Sequence, residues 1–300
     1  MPKPLILRRL PGQGGKLIDE KSLPPNNIVF NPSIAYPYVY MRGNKHTPID
    51  EINYIILYNI ETKNSTTIQG LENILHKNQN RYRGLEDLRI CNYKGKLWFV
   101  GTCTHANNTM NSEVVIGYFN DTKMNIERIS HIQLGKPPIK NICPVVYDNK
   151  LCIFDIYKKE IHEIDDQTDE KTGKWEKFVA TNRRQISAGS GIDIENFRGS
   201  TSLVHLHGST YGCIVHDIIY NDSPEKLTQL AYLHHWLEID MNRSEVTFVS
   251  SPFWINKLGV EFISGLHIAE DGENVELYMG IDDQFAVKYV TKLAFLRSGR

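Results

Sequence analysis

The 300-residue chain has no uninterrupted apolar run of about eighteen residues and no signal-like apolar stretch after Met1-Pro2-Lys3-Pro4, so neither a membrane-spanning helix nor export is expected. A cytoplasmic protein fits best. Net charge is also scarce: the formal value of −1 gives no generic attraction to nucleic acid or to an anionic membrane, and neither is expected as a partner. Cysteines are few and odd in number. Cys91, Cys103, Cys143, Cys152 and Cys213 contain no C-x-x-C pair, which argues against a zinc site and against a disulfide framework. Helical periodicity is nearly absent, and Gly70 to Lys77 is the one segment spaced like a short helix. A phosphate-cradling glycine loop is missing too, because Gly12-Gln13-Gly14-Gly15 is too short and opens no helix.

What the chain has is strands. Ile52 to Tyr58, Lys96 to Val100, Lys150 to Phe154, Tyr211 to Val215 and Glu276 to Gly280 are rich in β-branched and aromatic residues. Turn formers bound them, among them Lys94-Gly95, Asp148-Asn149, Gly208-Ser209 and Asp271-Gly272. The expected class is all-β.

The strands recur in a unit that opens with a polar or glycine-containing phrase. Val29-Phe30-Asn31-Pro32, Gly84-Leu85-Glu86-Asp87-Leu88-Arg89, Lys140-Asn141-Ile142-Cys143, Arg198-Gly199-Ser200-Thr201 and Gly259-Val260-Glu261-Phe262 are the five openings. Their spacing, roughly 55 to 60 residues, approaches the period of four-stranded propeller blades with long loops. The expectation is a five-bladed β-propeller over 28–300, preceded by an N-terminal extension over 1–27. In such a fold the first strand of each blade lines the centre, so the five phrases converge on one axial active-site pocket. A two-sheet sandwich could use the same strands, but it would not explain why chemically loaded phrases occupy one place in every unit.

Glu86, Asp87 and Arg89 carry the clearest chemistry. A carboxyl that donates a proton near neutral pH needs burial or a like-charged neighbour, and an arginine beside it can hold an anion or a second carboxylate. Taken alone, the phrase reads more readily as a surface salt bridge at a strand start. Together with Phe30-Asn31-Pro32, Lys140-Asn141, Arg198-Gly199, Val215-His216, Tyr232-Leu233-His234-His235, Ser251-Pro252-Phe253 and Gly259-Val260-Glu261-Phe262, it resembles the five-bladed propeller enzymes of glycoside hydrolase family 130. Those are mostly inverting β-mannoside phosphorylases, with some hydrolases. Related β-1,2-mannosyltransferases and phosphorylases of glycosyltransferase family 108 share the architecture. The resemblance spans about residues 28 to 290 and departs from the family pattern at Leu88, where proline is usual.

The resemblance implies a metal-independent, cofactor-free reaction in which Asp87 is the general acid and Asn31, Glu86, Arg89 and Asp283 bind sugar. It implies a phosphate site drawn from Lys140, Arg198, His216, His234 and His235, whose residue types suit an oxyanion. Each has a plainer reading as a turn residue, a hydrogen-bonded wall residue or, for Arg198, a blade pin through Glu195. A hydrolase would need a second carboxylate about 6.5 to 9.5 Å from the acid, and Glu261 is the residue expected to serve. Two other classes fit the same residues. One is a glycosyltransferase using a nucleotide sugar, and the other is a non-catalytic propeller that binds a glycan.

Overall fold

The computed structural model describes residues 8–17, 27–46, 51–68, 82–105, 108–120, 122, 125–134, 141–168, 175–221, 229–256 and 259–298. The helix expected over Gly70 to Lys77 lies outside them, as does Lys140. The described chain is nearly all β, and its strands form five sheets. Two short strands, β1 (Arg8–Arg9) and β2 (Gln13–Lys16), come first. The first sheet follows as β3 (Asn27–Ala35), β4 (Tyr38–His46), β5 (Glu51–Asn59) and β6 (Asn64–Ile68), and the second as β7 (Tyr82–Tyr93), β8 (Lys96–His105), β9 (Asn108–Phe119) and β10 (Ile126–Ile132). The third is β11 (Cys143–Tyr147), β12 (Lys150–Asp155), β13 (Glu160–Thr168) and β14 (Trp175–Gln185).

The fourth sheet is built on two long strands, β18 and β19. Its members in chain order are β15 (Ser187–Ala188), β16 (Arg198–Gly199), β17 (Val204–His207), β18 (Thr210–Asn221), β19 (Gln229–Asp240), β20 (Glu245–Val249) and β21 (Phe253–Trp254). The fifth holds β22 (Glu261–Ile268), β23 (Asn274–Ile281) and β24 (Phe285–Lys292), after which comes one five-residue helix, α1 (Leu293–Arg297). Residues from the N-terminal segment complete the last two sheets: β1 lies parallel to β21, and β2 pairs with β24 as the outer strand of the fifth sheet. Leu10, between them, is buried, and its carbonyl accepts the Tyr289 hydroxyl at 2.7 Å.

Two tight turns show why these residues form hairpins. Lys94 and Gly95 have φ of 48° and 74°, and Asp148 and Asn149 have 48° and 56°. Left-handed backbone at both central positions matches the twist of the flanking strands.

Five apolar clusters sit between successive sheets, and the last joins the fifth sheet back to the first through Tyr278, Val39 and Met41. Neighbouring residues of one strand therefore enter different cores. Ile153 packs between the second and third sheets, whereas Cys152 and Phe154 pack between the third and fourth. Likewise Ile214 faces the fifth sheet while Cys213 and Val215 face the third. A strand buried on both faces reads as an unbroken apolar run, and each fully buried Ile, Leu or Phe contributes about 1.5–3 kcal/mol. On the inner side, β22 packs on β3, β3 on β7 and β7 on β11. Hydrogen bonds tie these strands, with Ile90 N donating to Ser33 Oγ at 3.1 Å and Ser264 Oγ to the Pro32 carbonyl at 2.9 Å.

Candidate active site

The pairing of β7 with β8 shifts register between Glu86 and Arg89, and Asp87 sits in that bulge with φ of 51°. The first sheet repeats the device: β3 shifts register between Phe30 and Ser33, and Asn31 has φ of 48°. Asn and Asp enter the left-handed region at lower cost than other L-residues, and a bulge re-aims the side chain it carries. Here both bulges aim inward and meet, as Asn31 Nδ2 donates to Asp87 Oδ1 at 2.9 Å. That orientation leaves Asn31 Oδ1 buried with no hydrogen-bond partner among the described residues. Gly280 makes room for it, because a Cβ there would lie 2.4 Å from the oxygen. Leu88 falls within the same bulge and is fully buried between the first two sheets.

Arg42, on β4, organises the carboxylates. Its Nη1 lies 3.3 Å from Asp87 Oδ1, its Nη2 lies 3.7 Å from Glu86 Oε1, and its Nε donates to Asn53 Oδ1 at 3.0 Å. Asn53 Nδ2 in turn lies 3.4 Å from Glu86 Oε1, and the guanidinium stands 5.0 Å over the Phe30 ring. Burial by itself would lower the Arg42 pKa, but Asp87 and Glu86 outweigh it and hold the group above its ordinary value. Gly84 permits this closeness of β7 to β5: its φ is 91°, and a Cβ would come 2.4 Å from the Asn53 carbonyl oxygen.

Asp283 joins the group from the turn after β23. Its side chain stays open to solvent, yet its pKa is raised, first by desolvation and next by the negative charge of Asp87, with Arg42 acting in the opposite sense. Asn31, Arg42, Glu86, Asp87 and Asp283 thus form one constellation drawn from three sheets.

Arg89 contacts the backbone of the same bulge. It is fully buried and reaches from the second sheet to the fourth, donating from Nε to the Ser200 carbonyl and from Nη1 to the Asp87 carbonyl at 2.8 Å. Its guanidinium lies 5.0 Å over the Phe262 ring. The residue holds the bulge that presents Asp87 and fills the space beneath it.

His216 and His234 lie side by side on β18 and β19, their rings 6.4 Å apart. His216 Nδ1 meets Ser200 Oγ at 2.8 Å, and its ring packs edge-on to Phe262. His234 Nε2 meets the Glu261 carbonyl at 2.8 Å, so the proton of the neutral ring belongs on Nε2 and buried Nδ1 has no partner among the described residues. Burial lowers the His234 pKa to about 4. Burial also carries that of His216 well below its usual value, helped by His234 and Arg198. Both are neutral imidazoles at pH 7 and bring no charge, and the one N–H of His234 is already committed to the Glu261 carbonyl. Strand alternation turns His235 to the opposite face, where it packs on Phe197 at 4.8 Å and lies 3.5 Å from Asp217. It is thereby separated from the other two histidines. Arg198, on β16, pairs in register with His216.

Glu261 is also separated from the Asp87 group in its contacts. Alternation places Phe262, not Glu261, against Arg89, and the Glu261 carboxylate accepts the backbone N–H groups of Ile255 at 3.0 Å and Asn256 at 2.8 Å. It is 1% exposed and clamps the loop before β22. Among the described residues, no group of three or more His, Cys, Asp or Glu side chains is placed to hold a metal ion. Sequence reasoning missed Arg42 and Asn53. The available signal was a cation directly after the apolar run Tyr38–Met41 and an amide directly before the apolar run Tyr54–Leu57.

No protein-family profile matches the chain, and no curated protein matches it in sequence. Solved structures do match. A mannose phosphorylase from Leishmania mexicana, MPT-4, in complex with phosphate ion, aligns with a TM-score of 0.59 at 16% identity over 92% of this chain and 87% of that one. MPT-1 from the same organism, a GDP-Man-dependent mannosyltransferase, gives 0.59 at 15% identity over 92% and 89%. The β-1,2-mannobiose phosphorylase of Listeria innocua gives 0.53 at 12% identity over 94% and 95%. The likeness is one of fold, and these neighbours are the kinds of enzyme that the sequence resembles.

Proposed function

We propose that the chain is an inverting glycoside phosphorylase acting on a β-mannoside, built as a five-bladed propeller whose axial pocket presents Asp87 as the general acid. The observation that carries this reading is the Asp87 carboxyl, bulged inward at positive φ and held on Oδ1 by Asn31 and Arg42, its charge felt by Asp283. Asp87 supplies the proton to the glycosidic oxygen, directly or through a sugar hydroxyl. A phosphate oxygen forms the new bond to the anomeric carbon from the opposite face, and the departing sugar leaves with the proton. The products are α-mannose 1-phosphate and a shortened glycan. Arg198 and Lys140 serve as the cations for phosphate, and neutral His216 adds an N–H donor.

The test is to incubate the protein with β-1,2-mannobiose with and without phosphate. Mannose 1-phosphate formed only when phosphate is present supports the reading, and phosphate-indifferent release of mannose replaces it with hydrolysis. A second reading, transfer from GDP-mannose, is favoured by the equal likeness to MPT-1. In that case GDP stabilises the protein against heat where phosphate does not.

A further inference from the structure

The peptide that follows Asp87 is held at one end. Its carbonyl accepts Arg89 Nη1 at 2.8 Å, and the Leu88 carbonyl lies 3.4 Å from the same nitrogen. This peptide is trans, so its N–H, which belongs to Leu88, points away from the carbonyl that Arg89 holds.

Tyr40 approaches the bulge from the first sheet, where β4 packs on β7. It stands two residues before Arg42 on β4, so the two side chains share a face. Where Arg42 reaches the Asp87 carboxylate, Tyr40 packs in the core that also holds Leu85 and Leu88. Its register partner Ser33 accepts Ile90 N at 3.1 Å, which keeps β3 and β4 against β7 just past the bulge. The ring is fully buried, and its hydroxyl has no hydrogen bond of ordinary geometry among the described residues. Burial raises the pKa of the phenol. Arg42 opposes that rise, Asp87 adds to it, and Arg89 and the Leu88 backbone oppose it. A backbone group that favours the phenolate is an N–H and not a carbonyl, so the Leu88 N–H is the group turned to the oxygen. A hydroxyl sealed from water is costly to leave unpaired, and this N–H is the donor at hand.

We propose that Tyr40 is a positioning residue for Asp87: its hydroxyl accepts the Leu88 N–H, so that the peptide whose carbonyl Arg89 holds is clamped at both ends. The clamp fixes rotation about the Asp87 Cα–C bond, and with it the direction of the carboxyl that Asn31 and Arg42 hold by one oxygen. The catalytic half of this claim rests on reading Asp87 as the general acid, and the clamp itself does not.

Tyr40→Phe removes the hydroxyl and keeps the ring, and Tyr54→Phe is its control. The Tyr54 hydroxyl is also buried without a partner among the described residues, but its ring packs against the core between the fifth sheet and the first. In protein carrying isotope-labelled leucine, the Leu88 amide is the signal lost in Leu88→Met. Its exchange with solvent is expected to quicken about tenfold in Tyr40→Phe, the equivalent of one hydrogen bond, and to stay as in wild type in Tyr54→Phe. With β-1,2-mannobiose and phosphate, kcat of Tyr40→Phe is expected to fall about tenfold while KM stays within about twofold, because the direction of the acid matters in the transition state and not for binding. Its thermal midpoint does not fall. Unchanged Leu88 exchange overturns the clamp, and quickened exchange with unchanged kcat overturns the positioning role. A lowered midpoint, or an equal loss of turnover in Tyr54→Phe, marks a loss of packing and overturns it as well. Wild type that turns over no mannobiose removes the enzyme proposed above, and quickened exchange in Tyr40→Phe then keeps the clamp alone.

Discussion

If Arg42 neutralises the carboxylates as its contacts indicate, a double-mutant cycle with Asp87 will show strong coupling. The guanidinium and carboxylate approach to 3.3 Å, and their side chains are only 14% and 23% exposed. A unit-charge pair at this distance is worth about 5 kcal/mol gross at an effective dielectric near 20. Residual solvent and the cost of desolvating both groups reduce the net coupling to about 1–2 kcal/mol. Arg42→Gln leaves Glu86 and Asp87 adjacent with their cation gone and is expected to cost about 2–3 kcal/mol. Asp87→Asn keeps an oxygen to accept from Asn31 Nδ2 and is expected to cost about 1 kcal/mol. The double variant should therefore lose about 1–2 kcal/mol less than the sum of the singles. Urea unfolding followed by the fluorescence of the four tryptophans measures all three. Additivity to within about 0.5 kcal/mol would refute the view that Arg42 is held there by the charge of Asp87.

The same Asp87→Asn protein should lose about 10²- to 10⁴-fold in turnover of a β-mannoside while remaining folded, and near-normal rates would remove Asp87 from the acid role. His234 gives a pH signature. Its folded pKa of about 4 lies below the unfolded value of 6.5, so its contribution to stability is present above pH 6.5 and declines as pH falls toward 4. Between pH 7 and pH 5 that decline amounts to about 2 kcal/mol, and in His234→Asn the unfolding free energy should vary less over this interval. Glu261→Gln can satisfy only one of the two N–H groups of Ile255 and Asn256, so it should lower stability by about 1–3 kcal/mol, readable as a depressed melting midpoint.

The nearly all-β class and the placing of individual strands were legible from the chain. Lys96 to Val100, Lys150 to Phe154 and Glu276 to Gly280 lie within β8, β12 and β23, because β-branched residues bounded by turn formers have few other ways to fold. Asn31 and Asp87 were legible as well. They occupy equivalent places in successive units, and both are residue types that tolerate the left-handed bulge in which they lie. Which side chains would surround them was decided only by tertiary structure. Arg42 comes from the second strand of the first sheet and reaches Asp87 through packing across two sheets, a relation that no local spacing encodes. The inward face of each strand is equally hidden, because strands buried on both sides carry no polar face to mark it. So Phe262 meets Arg89 while Glu261 clamps a loop, and His234 stands by His216 while its neighbour His235 turns away. Alternation along a strand is a property of the sequence, but which of its two faces turns inward depends on the sheets that pack against it.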